Sequence, residues 1–213
     1  MVSIETFTFN PYQENTYLLV DEQKNCIIID PGMHNLSEQN HFKQYIEVNH
    51  LKPTLLLNTH CHIDHVLGNH FVYENWGLKP LFHEGEIPVF VAVQNYAPQM
   101  GFRYEPAPLP KVFLVDNQLI KLGENDITTI LAPGHSPAHL CYYLKDQGVL
   151  IGGDVLFLNS IGRTDLPGGD HQTLLDSIKS RIYTLPDNTV VYPGHGPSTT
   201  IGYEKQNNPF VRG

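Results

Sequence analysis

Apolar and polar positions along the chain change period repeatedly, and each change marks an element boundary. Ile4 to Phe9 alternates, Asn10-Pro11 interrupts it, and Thr16-Tyr17-Leu18-Leu19-Val20 resumes an extended run. Cys26-Ile27-Ile28-Ile29 is uninterrupted and stops at Asp30-Pro31-Gly32, which predicts a buried strand and a turn. Helical spacing runs from Ser37 to Val48, with Phe42, Tyr45, Ile46 and Val48 on one side. Thr54 to Asn58 predicts a further buried strand that leads straight into Thr59-His60-Cys61-His62. Gly68 to Trp76 predicts a helix and Pro80 to Phe82 a strand. Glu84 to Pro110 holds five of the sixteen prolines and predicts a helix followed by an irregular loop. Two strands are expected around Leu122-Gly123, then Leu140 to Leu144 and Val149 to Ile151, a helix over Thr173 to Tyr183, and a strand over Thr189 to Tyr192. No Gly/Ser-rich linker or charge run divides the chain, so residues 1–213 are expected to form one α/β domain of two similar halves.

Composition narrows the classes. With 41% hydrophobic and 16% charged residues the chain is no disordered segment. Its longest apolar runs are far too short to span a bilayer, so no membrane partner is expected. The start lacks a basic, apolar leader pattern, and Cys26, Cys61 and Cys141 form no disulfide framework; both favour a cytoplasmic location. A formal net charge of −9 disfavours nucleic acid as a partner. The twelve histidines, against thirteen Lys and Arg, change the picture most.

Several of these histidines stand where strands end. Asn58-Thr59-His60, Gly153-Asp154 and Tyr192-Pro193-Gly194-His195 each carry a polar residue off an apolar strand, and Pro133-Gly134-His135 does the same in a turn. The densest cluster is His60-Cys61-His62-Ile63-Asp64-His65, with four metal-competent groups within six residues. Imidazole and carboxylate together suit Zn²⁺, Mn²⁺ or Fe²⁺ rather than Ca²⁺ or Mg²⁺. A polar helix start capped by Asp64 would be the plain alternative, and the density of the cluster argues against it. Cys61, between two candidate ligands, is expected to point away and pack as a buried thiol. His139 is expected to orient the site from behind. His34, His41, His50, His70, His83 and His171 have no ligand-like spacing.

The string Thr59-His60-Cys61-His62-Ile63-Asp64-His65 resembles the HxHxDH signature of the metallo-β-lactamase fold superfamily. The resemblance continues through Pro133-Gly134-His135, Gly153-Asp154 and Pro193-Gly194-His195, and reaches back to Asn10-Pro11 and Glu14-Asn15-Thr16-Tyr17. It implies a four-layer αββα sandwich with two divalent metal ions, zinc foremost and iron or manganese next, at one edge of the sheets. His60, His62 and His135 would hold one ion, Asp64, His65 and His195 the other, and Asp154 both. Asp64 and Asp154 would thereby position a hydroxide between the metals as the nucleophile.

Within that superfamily, Gly153 to Phe157 and Gly162-Arg163-Thr164-Asp165 are similar to small hydroxyacylglutathione hydrolases of the glyoxalase II type. That similarity implies hydrolysis of a small-molecule thioester, S-2-hydroxyacylglutathione foremost, with Arg163 taking a carboxylate of the thiol carrier. Two departures stand against a full match. Asp165 occupies the place of an expected tyrosine, and the C-terminal helical domain with further glutathione contacts has no counterpart here. The same segment also resembles persulfide dioxygenases, which implies the alternative of a single iron held by His60, His135 and Asp154. A secreted β-lactamase and a nuclease fit less well with the start of the chain and its acidic charge.

Overall fold

The apolar runs assemble into two sheets. The computed structural model describes residues 1–213. Its first sheet has five strands in sequence order: β1 (Ser3–Phe9), β2 (Glu14–Val20), β3 (Asn25–Ile29), β4 (Lys52–Leu57) and β5 (Pro80–Leu81). β1 to β3 form an antiparallel meander, whereas β3, β4 and β5 are parallel. Parallel neighbours need crossovers, supplied by α1 (Leu36–Val48) and by α2 (Ile63–Val66) with α3 (Asn69–Trp76). The helix α4 (Ile87–Tyr96) and an irregular stretch then lead to the second sheet.

That sheet contains β6 (Leu119–Leu122), β7 (Asn125–Leu131), β8 (Leu140–Leu144) and β9 (Val149–Gly153) as an antiparallel run. A two-residue hairpin follows, β10 (Leu156–Phe157) with β11 (Ser160–Ile161). α5 (His171–Ser177), prolonged by a π-helical turn over Ile178–Ile182, then carries the chain to β12 (Val190–Pro193), parallel to β9. β13 (Thr199–Thr200) completes the six-stranded order β13-β12-β9-β8-β7-β6, and α6 (Ile201–Asn207) packs behind it.

Alternation within the strands decides the layers. Leu19, Ile27, Ile29 and Leu57 of the first sheet meet Ile120, Leu140, Tyr142 and Ile151 of the second in one inter-sheet core. The residues between them point the other way: Leu18, Ile28 and Leu56 pack on Phe42, Ile46 and Val72 of α1 and α3. On the far side Cys141, Tyr143 and Leu150 pack on Leu174, Ile178 and Ile201. Strands covered on both faces read as continuous apolar runs, which is why Cys26 to Ile29 carries no polar alternation. The result is the expected αββα sandwich.

Three details depart from expectation. Val48 is 66% exposed, so the buried stripe of α1 ends at Ile46. The helix over Thr173 to Tyr183 starts two residues earlier, at the Asp170 cap, and loosens into the π turn at Ile178. The strands β10, β11 and β13 and the helix α6 were not foreseen, since two-residue strands leave no periodicity to read.

Candidate metal centre

The ends of β4, β9 and β12 lie along one edge of the sandwich, and with the turn after β7 they bring seven predicted side chains together. His60 Nε2 lies 3.1 Å from His135 Nε2, and His62 Nδ1 lies 2.9 Å from the same atom. These three imidazoles form one tripod and Asp64, His65 and His195 another. In the second, Asp64 Oδ2 is 3.1 Å from His195 Nε2 and 3.6 Å from His65 Nε2. Asp154 stands between the two. Its Oδ1 is 3.5 Å from His65 Nε2, and its Oδ2 is 3.5 Å from His135 Nε2 and 3.6 Å from His195 Nε2.

Hydrogen bonds at the far ring nitrogens fix which lone pairs face inward. His135 Nδ1 donates to the Arg163 carbonyl at 2.7 Å, leaving Nε2 without a proton. The Thr59 hydroxyl donates to Asp30 Oδ2 at 2.6 Å, so it accepts from His60 Nδ1 at 3.0 Å, and His60 Nε2 is bare as well. Two bare lone pairs 3.1 Å apart repel unless a cation lies between them. Imidazole nitrogens sharing an ion at about 2.0–2.1 Å would have comparable mutual separations. The buried atoms His65 Nε2 and Asp154 Oδ1 have no hydrogen-bond partner, which such ions would also resolve. The donor set therefore suits a binuclear metal site. Asp64 sits in the first turn of α2 without capping it, so the plain helix-cap alternative does not hold.

The chain matches the model of the metallo-beta-lactamase superfamily over residues 9–195. It belongs to that superfamily. Hydroxyacylglutathione hydrolase GloC of Haemophilus influenzae is 37% identical over 216 residues, covering 99% of this chain and 98% of that one. Among solved structures, TTHA1623 in a di-iron-bound form superposes with a TM-score of 0.86 at 34% identity, covering 97% of this chain and all of that one. The BLEG-1 B3 metallo-beta-lactamase gives 0.87 at 34% identity, covering 99% and 100%.

Other groups hold the superfamily's motif in place here, and most were invisible to sequence reasoning. Asp30, at the end of β3 with an unusual positive φ of 50°, accepts from Thr59 N–H at 2.7 Å and faces His65 Nδ1 at 3.1 Å. It also forms a group with His60 and His65, but its oxygens are already engaged by Thr59. His139 behaves as expected: its Nε2 accepts the Asp154 N–H at 3.1 Å. His195 Nδ1 donates to the Tyr12 carbonyl at 3.0 Å. Asn15 donates to the carbonyls of Pro193 and Gly196, and the Tyr17 hydroxyl to Pro193, which explains why the Glu14 to Tyr17 string accompanies a histidine so far along the chain. Gly194 is required by space, because a Cβ there would lie 2.1 Å from Asp154 Oδ1. Cys61 is fully buried, as expected.

Charge separates the two tripods. Burial holds His60 well below the ordinary histidine range, helped by His65 and His62. Burial and the neighbouring His135 bring His62 down to about 3. His135 and His139 are lowered by burial too. These rings are neutral, the form that binds metal. Burial also opposes the charge on His65, but Asp154 and Asp64 outweigh it and hold the ring well above its ordinary value. Asp154 is lowered in return: burial pushes it up, and His65 with His135 more than reverses that.

A pocket of about 690 Å³ opens over the centre. His62, Asp64, His135, Asp154 and His195 line its floor, and Pro88, Val89 and Ala92 of α4 with Tyr96 and Met100 form an apolar wall. Burial, with the nearby charge of Asp64, pushes the Tyr96 phenol up to about 12, so it stays protonated. Arg163 lines the opposite rim, where its Nε and Nη2 each donate to Asp165 at 2.7 Å. The expected carboxylate site is thus already engaged by the residue that departs from the hydrolase pattern. No helix is long and apolar enough to cross a membrane.

Proposed function

We propose that the protein is a metal-dependent hydrolase of a small thioester, with S-2-hydroxyacylglutathione as the favoured substrate. The observation that carries the reading is Asp154, whose carboxylate stands between the two tripods: Oδ2 faces His135 of one and His195 of the other, and Oδ1 faces His65. His60, His62 and His135 would hold one divalent ion and Asp64, His65 and His195 the second, with Asp154 common to both. Zinc, iron and manganese all suit this imidazole and carboxylate set. When bound, such a pair acidifies water towards neutral pH and polarises a carbonyl, which is the chemistry a thioester needs.

The chain's own residues supply the rest. The carbonyls of Arg163 and Tyr12 keep His135 and His195 in the tautomer that presents Nε2. The α4 wall excludes water from one side of the pocket and takes the apolar part of the substrate. Arg163 would hold a carrier carboxylate by exchanging Asp165 for it, an exchange open to it because both side chains are more than half exposed. The likeness to a named hydroxyacylglutathione hydrolase over nearly the full length supports the same substrate class.

The test pairs elemental analysis with turnover of S-D-lactoylglutathione. About two ions per chain and hydrolysis of the thioester support the proposal. One iron per chain with oxygen uptake on a persulfide substrate would move the protein to the dioxygenase alternative. Turnover of a β-lactam in preference to any thioester would move it towards the activity in BLEG-1's name.

A further inference from the structure

Glu86 closes a single 3₁₀ turn, Glu84–Glu86, just before α4, and its side chain is wholly buried. Its two oxygens point to two loops that the sequence keeps far apart. Oε2 accepts the N–H of Cys61 at 3.0 Å, and Oε1 accepts the N–H of Ala138 at 2.8 Å. Cys61 lies between His60 and His62. Ala138 lies between His135, the third member of that tripod, and His139, which accepts the Asp154 N–H. One carboxylate therefore clamps both backbone segments that deliver the all-imidazole tripod.

A carboxylate is costly to bury, and packing alone gives no reason to keep one there. The charge of the proposed centre gives one. Two divalent ions exceed the charge of Asp64 and Asp154, and the two tripods are unequally supplied with anions. The second contains Asp64 and rests on Asp30 and Glu14, which lie 3.1 and 4.0 Å from His65 Nδ1. The first has three imidazoles and a share of Asp154, and it reaches Asp30 through the Thr59 hydroxyl behind His60.

We propose that Glu86 is a positioning residue for the first metal site: it fixes the spacing of the His60/His62 loop against the His135 loop and places an anionic group behind both. The inference rests on the ligand assignment under the proposed function. It predicts site-selective behaviour. Removing the clamp lets the tripod open, so the His60/His62/His135 site should weaken while the Asp64/His65/His195 site keeps its ion. Loss of a group that supports metal ligands from behind typically lowers metal affinity about 10- to 100-fold.

The test is a Co²⁺ titration of the metal-free full chain, read by the visible absorption of the bound ion and by competition with a chelator, for wild type, Glu86→Ala and Glu86→Gln. The glutamine keeps the shape and one carbonyl oxygen but turns an NH₂ group towards the other amide, so one of the two ties is lost without leaving a void. Expected is a fall of about 10- to 100-fold at one site in Glu86→Ala and a smaller fall at the same site in Glu86→Gln, with the other site within about 3-fold of wild type. Activity of Glu86→Gln at limiting metal should be low and should recover with excess metal. Unchanged affinities in both variants would overturn the proposal, as would an equal loss at both sites, which marks general loosening. If Glu86→Ala does not fold, Glu86→Gln decides alone by the same criteria. Wild type binding fewer than two ions would refute the ligand assignment instead, which separates that failure from failure of the Glu86 role.

Discussion

Asn15 links the opening of the chain to the last histidine of the centre, and its removal tests that link. Its Nδ2 donates to the Pro193 carbonyl at 3.1 Å and to the Gly196 carbonyl at 2.9 Å, and its Oδ1 accepts from Thr8. In Asn15→Ala the Pro193 oxygen keeps the Tyr17 hydroxyl at 2.6 Å, and the Gly196 oxygen lies at the surface where water replaces the amide. The net loss is therefore near that of one or two ordinary hydrogen bonds, about 1–2 kcal/mol. For a chain of this length that lowers Tm by roughly 2–8 °C. Asn15→Asp should be worse than alanine, because an ionised oxygen then faces two carbonyl oxygens. Calorimetry of both variants, with a metal titration, reads the effect. Affinity should fall for the ion shared with His195, since the turn bearing it is no longer held. An Asn15→Asp variant as stable as wild type, or an Asn15→Ala variant that loses stability while binding both ions unchanged, would break this link.

The other predictions follow from the same contacts. Asp165→Asn frees the Arg163 fork, so KM for a thioester with a carboxylate on its carrier should fall, with little change for an uncharged thioester. Arg163→Ala should raise KM for the first substrate by about 10- to 150-fold and leave metal content unchanged, since His135 is held by the backbone carbonyl of residue 163 rather than its side chain. His139→Ala removes the acceptor for the Asp154 N–H and should weaken metal binding about 10- to 100-fold. The metal-free protein should be most stable near neutral pH. His60, His62, His135 and His139 are lowered by burial in the fold, so the stability they favour is present above about pH 6.5 and is lost as pH falls below it. His65 and His195 are raised, burial being outweighed by Asp154 and Asp64, so their contribution is full below about pH 6.5 and is lost as pH rises through their folded values. A thermal-shift series from acid to alkaline pH should show both limbs, and added metal should remove the alkaline one.

The candidate ligands are legible because strand ends and turns carry their chemistry in short strings. His60 to His65 needs no partner from elsewhere to be noticed, and the strands beneath it are apolar enough to mark their own boundaries. What supports those side chains is not legible. Asp30 reads only as part of a turn and Glu86 carries no signal at all, yet both are buried, and their partners lie tens of residues away or are backbone amides that no side-chain pattern encodes. Tyr12 and Arg163 act through carbonyl oxygens, which any residue possesses. Arg163 lines the pocket, but its pairing with Asp165 depends on side-chain directions in a turn. Asn15 and Tyr17 stood in a recognised string, and the turn around Pro193 supplies the reason for it.

In the proposed centre one carboxylate, Asp154, serves two metal ions. Elemental analysis of the purified wild-type protein and of Asp154→Ala, each dialysed against the same metal buffer, tests it most directly. Expected are about two divalent ions per wild-type chain and release of metal from both positions in the variant, because both tripods lose the donor they share. A wild-type chain holding a single ion, or a variant that retains both, would contradict it.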